Sequence, residues 1–113
     1  MKAVFIESAI FAKYRAELLD DDNYRDFQNY LMDNPTAGDL IQGTGGLRKI
    51  RWSSNGKGKR GGVRVIYLYL SANHNIHLLT LYAKNESDDL STETKRLLVA
   101  LAQRIKDETK HSE

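Results

Sequence analysis

Between residues 40 and 85 the chain carries eight cationic side chains, Arg48, Lys49, Arg51, Lys57, Lys59, Arg60, Arg64 and Lys84, and no carboxylate. The flanks lean the other way: residues 1–39 hold four bases and eight acids, and residues 86–113 hold five bases and seven acids. A formal net charge of +2 therefore hides a one-sign middle, and such a middle builds a field that attracts a polyanion. A solvated basic surface has the same composition. The two readings differ in whether the cations share a face with groups able to hold a phosphate and move protons.

The densest part of the run is Gly56-Lys57-Gly58-Lys59-Arg60-Gly61-Gly62. Glycines let a backbone approach a polyphosphate closely, lysines supply point charges and arginines supply forked donors. A nucleotide-binding P-loop is excluded, because no Ser or Thr follows either lysine and the segment lies between two strand patterns rather than ahead of a helix. The turn Gly43-Thr44-Gly45-Gly46 likewise lacks the dinucleotide pattern and leads into a strand. Arg64 interrupts an otherwise apolar strand, where a charge is costly unless it faces solvent or a site. Tyr82 and Lys84 stand two apart and so share one side of a strand. Tyr82 can stack on a base, carry a proton or simply pack the sheet, whereas Tyr67 and Tyr69 are expected to pack. Trp52 suits RNA stacking, sheet packing or a partner-facing role. His74 and His77 flank a turn and are not expected to form a catalytic pair.

These side chains match the demands of metal-independent RNA cleavage. A base must take the proton of a 2′-hydroxyl, cations must stabilise the pentavalent phosphate, an acid must protonate the leaving 5′-oxygen, and the backbone must be held in line. Lysine, arginine and tyrosine can fill all four roles, provided a cluster of positive neighbours depresses the pKa of a lysine base. With no near-neutral base in the set, free RNA is a poor substrate, and a host surface has room to supply orientation. On this basis Lys57, Lys59, Arg64, Tyr82 and Lys84 are the catalytic candidates, with Arg48, Lys49, Arg51 and Arg60 as RNA-binding candidates.

Other chemistries are bounded by what is missing. The absence of cysteine removes thiolate metal sites, disulfides and a Cys nucleophile, and three histidines are a thin basis for a metal site. No cofactor is implied. No apolar run approaches the roughly 20 residues of a membrane span, and the first residues are charged too soon for a signal peptide. The expectation is a cytoplasmic protein with no membrane partner, folded as one domain over residues 1–113.

The elements that must position these groups follow from periodicity. Residues 3–7 read as a first strand. Ile10, Phe11, Tyr14 and Leu18 recur at helical spacing with Ser8 as cap. Acids at 20–22 separate this helix from a second, carrying Tyr24, Phe27, Leu31 and Met32 on one face and stopping at Asn34-Pro35. Residues 47–52 alternate imperfectly, with Lys49 and Arg51 on one side and Arg48 and Ile50 on the other. Residues 63–70 and 76–82 are strands with apolar residues on both parities, hence central. Caps at 88–91 precede an amphipathic helix through Leu97, Leu98, Leu101, Ala102 and Ile105, with a polar tail from Lys106 expected to fray. The pattern predicts an α+β domain: a small antiparallel-dominated sheet with two N-terminal helices and a C-terminal helix.

In order and spacing, Gln42-Gly43-Thr44-Gly45-Gly46-Leu47-Arg48-Lys49-Ile50-Arg51, then residues 56–67, then Leu79-Thr80-Leu81-Tyr82-Ala83-Lys84-Asn85-Glu86 with Asp89-Leu90, resemble the RelE/HigB family of bacterial type II toxins, near the HigB branch. The resemblance covers most of the chain. It implies a RelE-like fold and a toxin that enters the ribosomal A site and cleaves mRNA. It further implies neutralisation by a cognate, HigA-like helix-turn-helix antitoxin, with operator DNA contacted only through that antitoxin. The family's strand arginine falls on Arg64, its loop lysines on Lys57 and Lys59, and its last-strand position near Lys84 and Asn85. The chain departs from the pattern where Asn85 replaces an arginine and Ser91 stands near a missing tyrosine; the histidines of another HigB branch are also absent. A non-catalytic module that blocks translation by binding RNA or the ribosome, and a domain that meets an acidic protein partner, are the rival readings.

Overall fold

The computed structural model describes residues 2–53, 62–83 and 90–111. Strand β1 (Val4–Glu7) leads into helices α1 (Ala9–Leu18) and α2 (Asp21–Asp33). Strands β2 (Asp39–Leu40), β3 (Leu47–Trp52), β4 (Val63–Leu70) and β5 (Asn75–Ala83) follow, and helix α3 (Thr92–His111) closes the chain. The strands form one sheet in the order β1-β5-β4-β3-β2, antiparallel except for the β1–β5 pair. The α+β expectation holds, with two details that periodicity did not carry. β2 has only two residues, too short for any alternation, and the parallel β1 is possible because the α1–α2 hairpin carries the chain away from the strand.

Helix ends are set by local side chains. Ser8 Oγ accepts from Phe11 N at 3.0 Å, Asp20 Oδ1 from Asn23 N at 2.8 Å, and Ser91 Oγ from Thr94 N at 3.1 Å, each satisfying an orphan donor of a first turn. The polar tail does not fray at Lys106. Helix α3 continues to His111, Thr109 Oγ1 bonds the Ile105 carbonyl, and Lys106 Nζ donates to the carbonyl of Gly45 in the turn before β3. That turn needs glycine, since Gly43, Gly45 and Gly46 all have positive φ; the buried Thr44 hydroxyl bonds the Ile41 carbonyl and accepts from Leu47 N.

Two cores flank the sheet. On one face α1 and α2 bring Phe11, Leu19, Tyr24, Phe27 and Leu31 onto Ile50, Val63, Val65, Tyr67, Ile76, Leu78 and Leu81. On the other, Leu98 and Ala102 of α3 cover Leu47, Ile66, Leu68 and Leu79. A β-bulge lies between them: Ile66 pairs with Thr80 but Tyr67 with Leu78, leaving Leu79 extra on β5. This shift of parity lets Leu78 and Ile76 point into the α1–α2 core while Tyr82 and Thr80 point to the α3 face. Ser8 fixes the bulge from α1, its hydroxyl donating to the Leu79 carbonyl at 2.7 Å and its backbone N–H to the Leu78 carbonyl at 3.0 Å.

Candidate active site

Register places Arg51, Arg64 and Tyr82 in one row. Arg64 is the Cα partner of Arg51 on β3 and of Tyr82 on β5, so all three side chains leave the sheet on the α3 face. Lys49 lies one row along on the same face, opposite Ile66, which in turn faces Thr80. Directly opposite cross-strand residues have Cβ atoms about 4.5–5.5 Å apart, and two like charges there repel. Arg51 and Arg64 are thus like charges in directly opposed positions. Arg51 is exposed, whereas Arg64 retains only 5% of its surface. A buried guanidinium keeps one geometry, as a phosphate clamp requires. Tyr82 and Leu90 pack against the core beneath α3, which fixes the far end of the row.

The start of β4 is constrained too. Gly62 has φ +58°, and a Cβ there would lie 2.3 Å from the Trp52 carbonyl oxygen, so only glycine lets the chain return beside β3 one residue before the row begins. Trp52 packs on Phe27 with ring centroids 5.4 Å apart and on Tyr30 at 5.6 Å, on the α2 side of the sheet. Its indole Nε1 is buried without a hydrogen-bond partner. Of the three roles open to Trp52, packing is the one it fills.

Not all the sequence candidates come together. Arg51, Arg64 and Tyr82 do, with Lys49 beside them. Asp39 on β2 is the register partner of Lys49, which puts a carboxylate opposite that lysine and reduces the positive field at this edge. Arg48 is placed on the other face. Its Nη1 donates to the carbonyls of Gly38 at 2.7 Å and Thr36 at 3.1 Å, so it braces the chain between α2 and β2 and is no part of this row. The reason is strand alternation: residue 48 and residue 51 have opposite parity. Lys57, Lys59 and Arg60, together with Lys84 and the Asn85 position, lie outside the described residues.

Tyr67 is fully buried and belongs to the brace, as its expected packing role implies. Its hydroxyl donates to the Pro35 carbonyl and accepts from Gly38 N, both at 2.9 Å, and burial pushes its pKa up. His74 is exposed with positive φ; His77 is half-buried, its pKa lowered by desolvation, and it lies roughly 15 Å from Tyr82 along β5 at about 3.3 Å per residue. Neither histidine reaches the row. Thr80 is the neighbour that sequence reasoning passed over; its i, i+2 relation to Tyr82 was the available signal. Among the described residues no group of three His, Cys, Asp or Glu side chains could hold a metal ion, and no helix is long and apolar enough to cross a membrane.

A profile described as the RelE toxin of the RelE/RelB toxin–antitoxin system matches residues 3–112. Among solved structures, the intact Escherichia coli RelBE toxin–antitoxin complex is similar at 10% identity, with 73% of this chain and 96% of that chain covered and a TM-score of 0.58. The isolated E. coli RelE toxin aligns at 10% identity over 88% of this chain and 99% of that one, with a TM-score of 0.57. The archaeal RelE–RelB complex of Pyrococcus horikoshii OT3 aligns at 22% identity over 77% of this chain and 100% of that one, with a TM-score of 0.53. At these identities the structures speak to the fold, and they share its α+β arrangement.

Proposed function

The chain belongs to the RelE toxin family of toxin–antitoxin systems, and from that premise we propose that it is a ribosome-dependent endonuclease that inhibits translation by cutting mRNA in the ribosomal A site. The observation that supports this most is the in-register row Arg51–Arg64–Tyr82, two guanidinium groups and a phenol on one face of a rigid sheet. In this reading Arg64 holds the scissile phosphate and Arg51, with Lys49, draws in the neighbouring backbone. Tyr82 either moves a proton or stacks on a base. The loop lysines Lys57 and Lys59, and Lys84 beyond β5, supply the remaining base, acid and charge, with Arg60 on the RNA backbone.

The 2′-oxygen forms a bond to the adjacent phosphorus as its proton passes to the base. The bond from phosphorus to the 5′-oxygen breaks, and that oxygen takes a proton from the acid. The products are a 2′,3′-cyclic phosphate and a 5′-hydroxyl end, and neither a metal nor a cofactor is needed. Cationic groups aimed at the pentavalent phosphate provide the largest share of the rate, since stabilisation of developing charge in a water-poor site dominates such reactions. A ribosome-bound message supplies the in-line geometry that a cluster of cations does not impose on free RNA. The toxin is held in check by an antitoxin, of the HigA-like, helix-turn-helix kind, which also carries the complex to operator DNA. The protein acts in the cytoplasm.

Mapping 5′ ends of a translated reporter mRNA after induction tests the reading. New 5′-hydroxyl ends are expected within the translated region, and none in the same message with its start codon removed. Their loss is expected in Arg64→Ala and their reduction in Lys84→Ala. Intact mRNA with halted translation would replace cleavage by simple occupancy of the ribosome.

A further inference from the structure

The two edges of the sheet are finished differently. At one edge β2 consists of Asp39 and Leu40 alone, and both its carboxylate and its shortness discourage a further strand. At the other edge β1 runs Val4-Phe5-Ile6 with no proline, lysine or bulge before Glu7 closes it. Among the described residues no strand pairs with its outer side. The ladder to β5 fixes which backbone groups are left there. Val4 N donates to the His74 carbonyl and Ser8 N to the Leu78 carbonyl, both at 3.0 Å, so the even-numbered residues turn their backbone toward β5. Ala3, Phe5 and Glu7 turn theirs outward.

The side chains sort by the same parity. Ala3 and Phe5 pack on the α1–α2 core, and the Glu7 carboxylate accepts from the Tyr24 hydroxyl. Val4 and Ile6 stand on the other face, 58% and 38% exposed. Exposed Lys2 precedes the strand, so β1 has a cation at its start and a carboxylate at its end.

We propose that β1 is a self-association edge, pairing antiparallel with β1 of a second copy of this chain about a two-fold axis at Phe5. The register follows from parity. A two-fold axis normal to the sheet pairs residues that share a face, and Phe5 is the middle one of the three outward-turned residues. Phe5 exchanges backbone hydrogen bonds with the second copy's Phe5, and Ala3 with the second copy's Glu7. Val4 and the second copy's Ile6 form a non-hydrogen-bonded pair, the closer kind, with Cα atoms about 4.5 Å apart. The symmetry repeats that pair, so β-branched side chains that stand in water in one copy join into one apolar row in the dimer. Charge selects the same orientation. Antiparallel pairing brings Lys2 to the end of β1 where the second copy has Glu7, whereas parallel pairing would set Lys2 beside Lys2 and Glu7 beside Glu7. The strand spans only about 13 Å at 3.3 Å per residue, so the dimer is a weak and concentration-dependent one. β1 ends opposite Leu78, and the row through Tyr82 lies past that end, outside the interface.

Sedimentation velocity of the full-length toxin, from low micromolar to submillimolar concentration, reads its mass. Amide hydrogen exchange at the two ends of that range reads the edge itself. The parent should pass from monomer to dimer. Val4→Lys and Ile6→Lys, which put a charge into the shared apolar row, should weaken dimerisation at least tenfold. Leu40→Lys, at a position 62% exposed on the β2 edge, should stay within twofold of the parent. As the dimer forms, exchange should slow at the Phe5 and Glu7 amides and hold constant at Val4 and Ser8, which already bond to β5. A chain that is monomeric throughout the range would overturn the proposal. So would a dimer that survives both β1 substitutions, a dimer broken by Leu40→Lys, or dimerisation that leaves the Phe5 amide unprotected. The exchange measurement uses the parent chain alone, so it decides the matter even where a variant fails to fold. No readout involves RNA, and the proposal stands or falls apart from the nuclease reading.

Discussion

The sheet carries two rows built from the same residue types, on opposite faces. Arg48 is paired across β3 and β4 with Tyr67 on the α1–α2 face, and Arg51 with Arg64 and then Tyr82 on the α3 face. In the first row every polar reach is toward neighbouring backbone: Arg48 to the Thr36 and Gly38 carbonyls, the Tyr67 hydroxyl to Pro35 and Gly38. It ties the chain between α2 and β2 to the sheet. In the second row two like charges stand opposite each other, an arrangement that weakens a fold and suits an anion. The same residue types thus tie down neighbouring backbone on one face and stand in register as a cationic row on the other. What separates the two is strand parity, which sends residues 48 and 51 to opposite faces, not residue type.

The sharpest way to break this comparison is to remove one arginine from each row. Arg64→Ala should lower mRNA cleavage by about 10²–10³-fold, the usual loss when a donor to the developing oxyanion is deleted. Arg48→Ala should leave cleavage by folded protein within a few-fold, read as 5′ ends at matched soluble protein. Equal loss from both would show that the rows are not functionally distinct. Next in size is Tyr67→Phe. It removes a buried hydroxyl that serves two backbone groups, and unfolding by urea should show a loss of about 1–3 kcal/mol with cleavage preserved. Smaller again is the stability effect of Arg48→Ala, about 1–2 kcal/mol, since its partners Thr36 and Gly38 can turn in part to water.

The smallest effect concerns the far end of the α3 face. Burial lowers the pKa of His77 below its ordinary 6.5, so the unfolded chain binds the proton more readily. Stability should be full above pH 6.5 and fall as pH drops toward the lowered folded value. His77→Gln should flatten that part of a melting-temperature profile between pH 7 and 5 without altering where mRNA is cut. A parental profile already flat over this range would remove His77 from the account.

Much of this was open to sequence reading for identifiable reasons. Ser8 and Asp20 announce helix starts because an N-cap is a local interaction between a side chain and a backbone N–H three residues on. Lys49 and Arg51 on one side, and Arg48 on the other, follow from strand alternation. Arg64 stood out as a charge within β4, and burial to 5% exposure bears out how unusual its setting is. By contrast β2 is too short to carry a pattern, and the persistence of α3 past Lys106 depends on a contact with Gly45, which is distant in sequence.

By itself, then, the sequence determined the element types, the acid-free middle of the chain and the family. These rest on local periodicity, composition and motifs that need no partner across space. Only the tertiary structure decided which cations share a face with Tyr82. Simple alternation along β5 would put Leu78 and Tyr82 on the same side, but the extra residue at Leu79 reverses the parity, and Ser8 from another element satisfies the carbonyl there. A bulge is a property of two strands in register, so a single strand's sequence does not contain it. That one inserted residue lets β5 feed the α1–α2 core at Ile76 and Leu78 and still deliver Tyr82 to the row with Arg64 and Arg51.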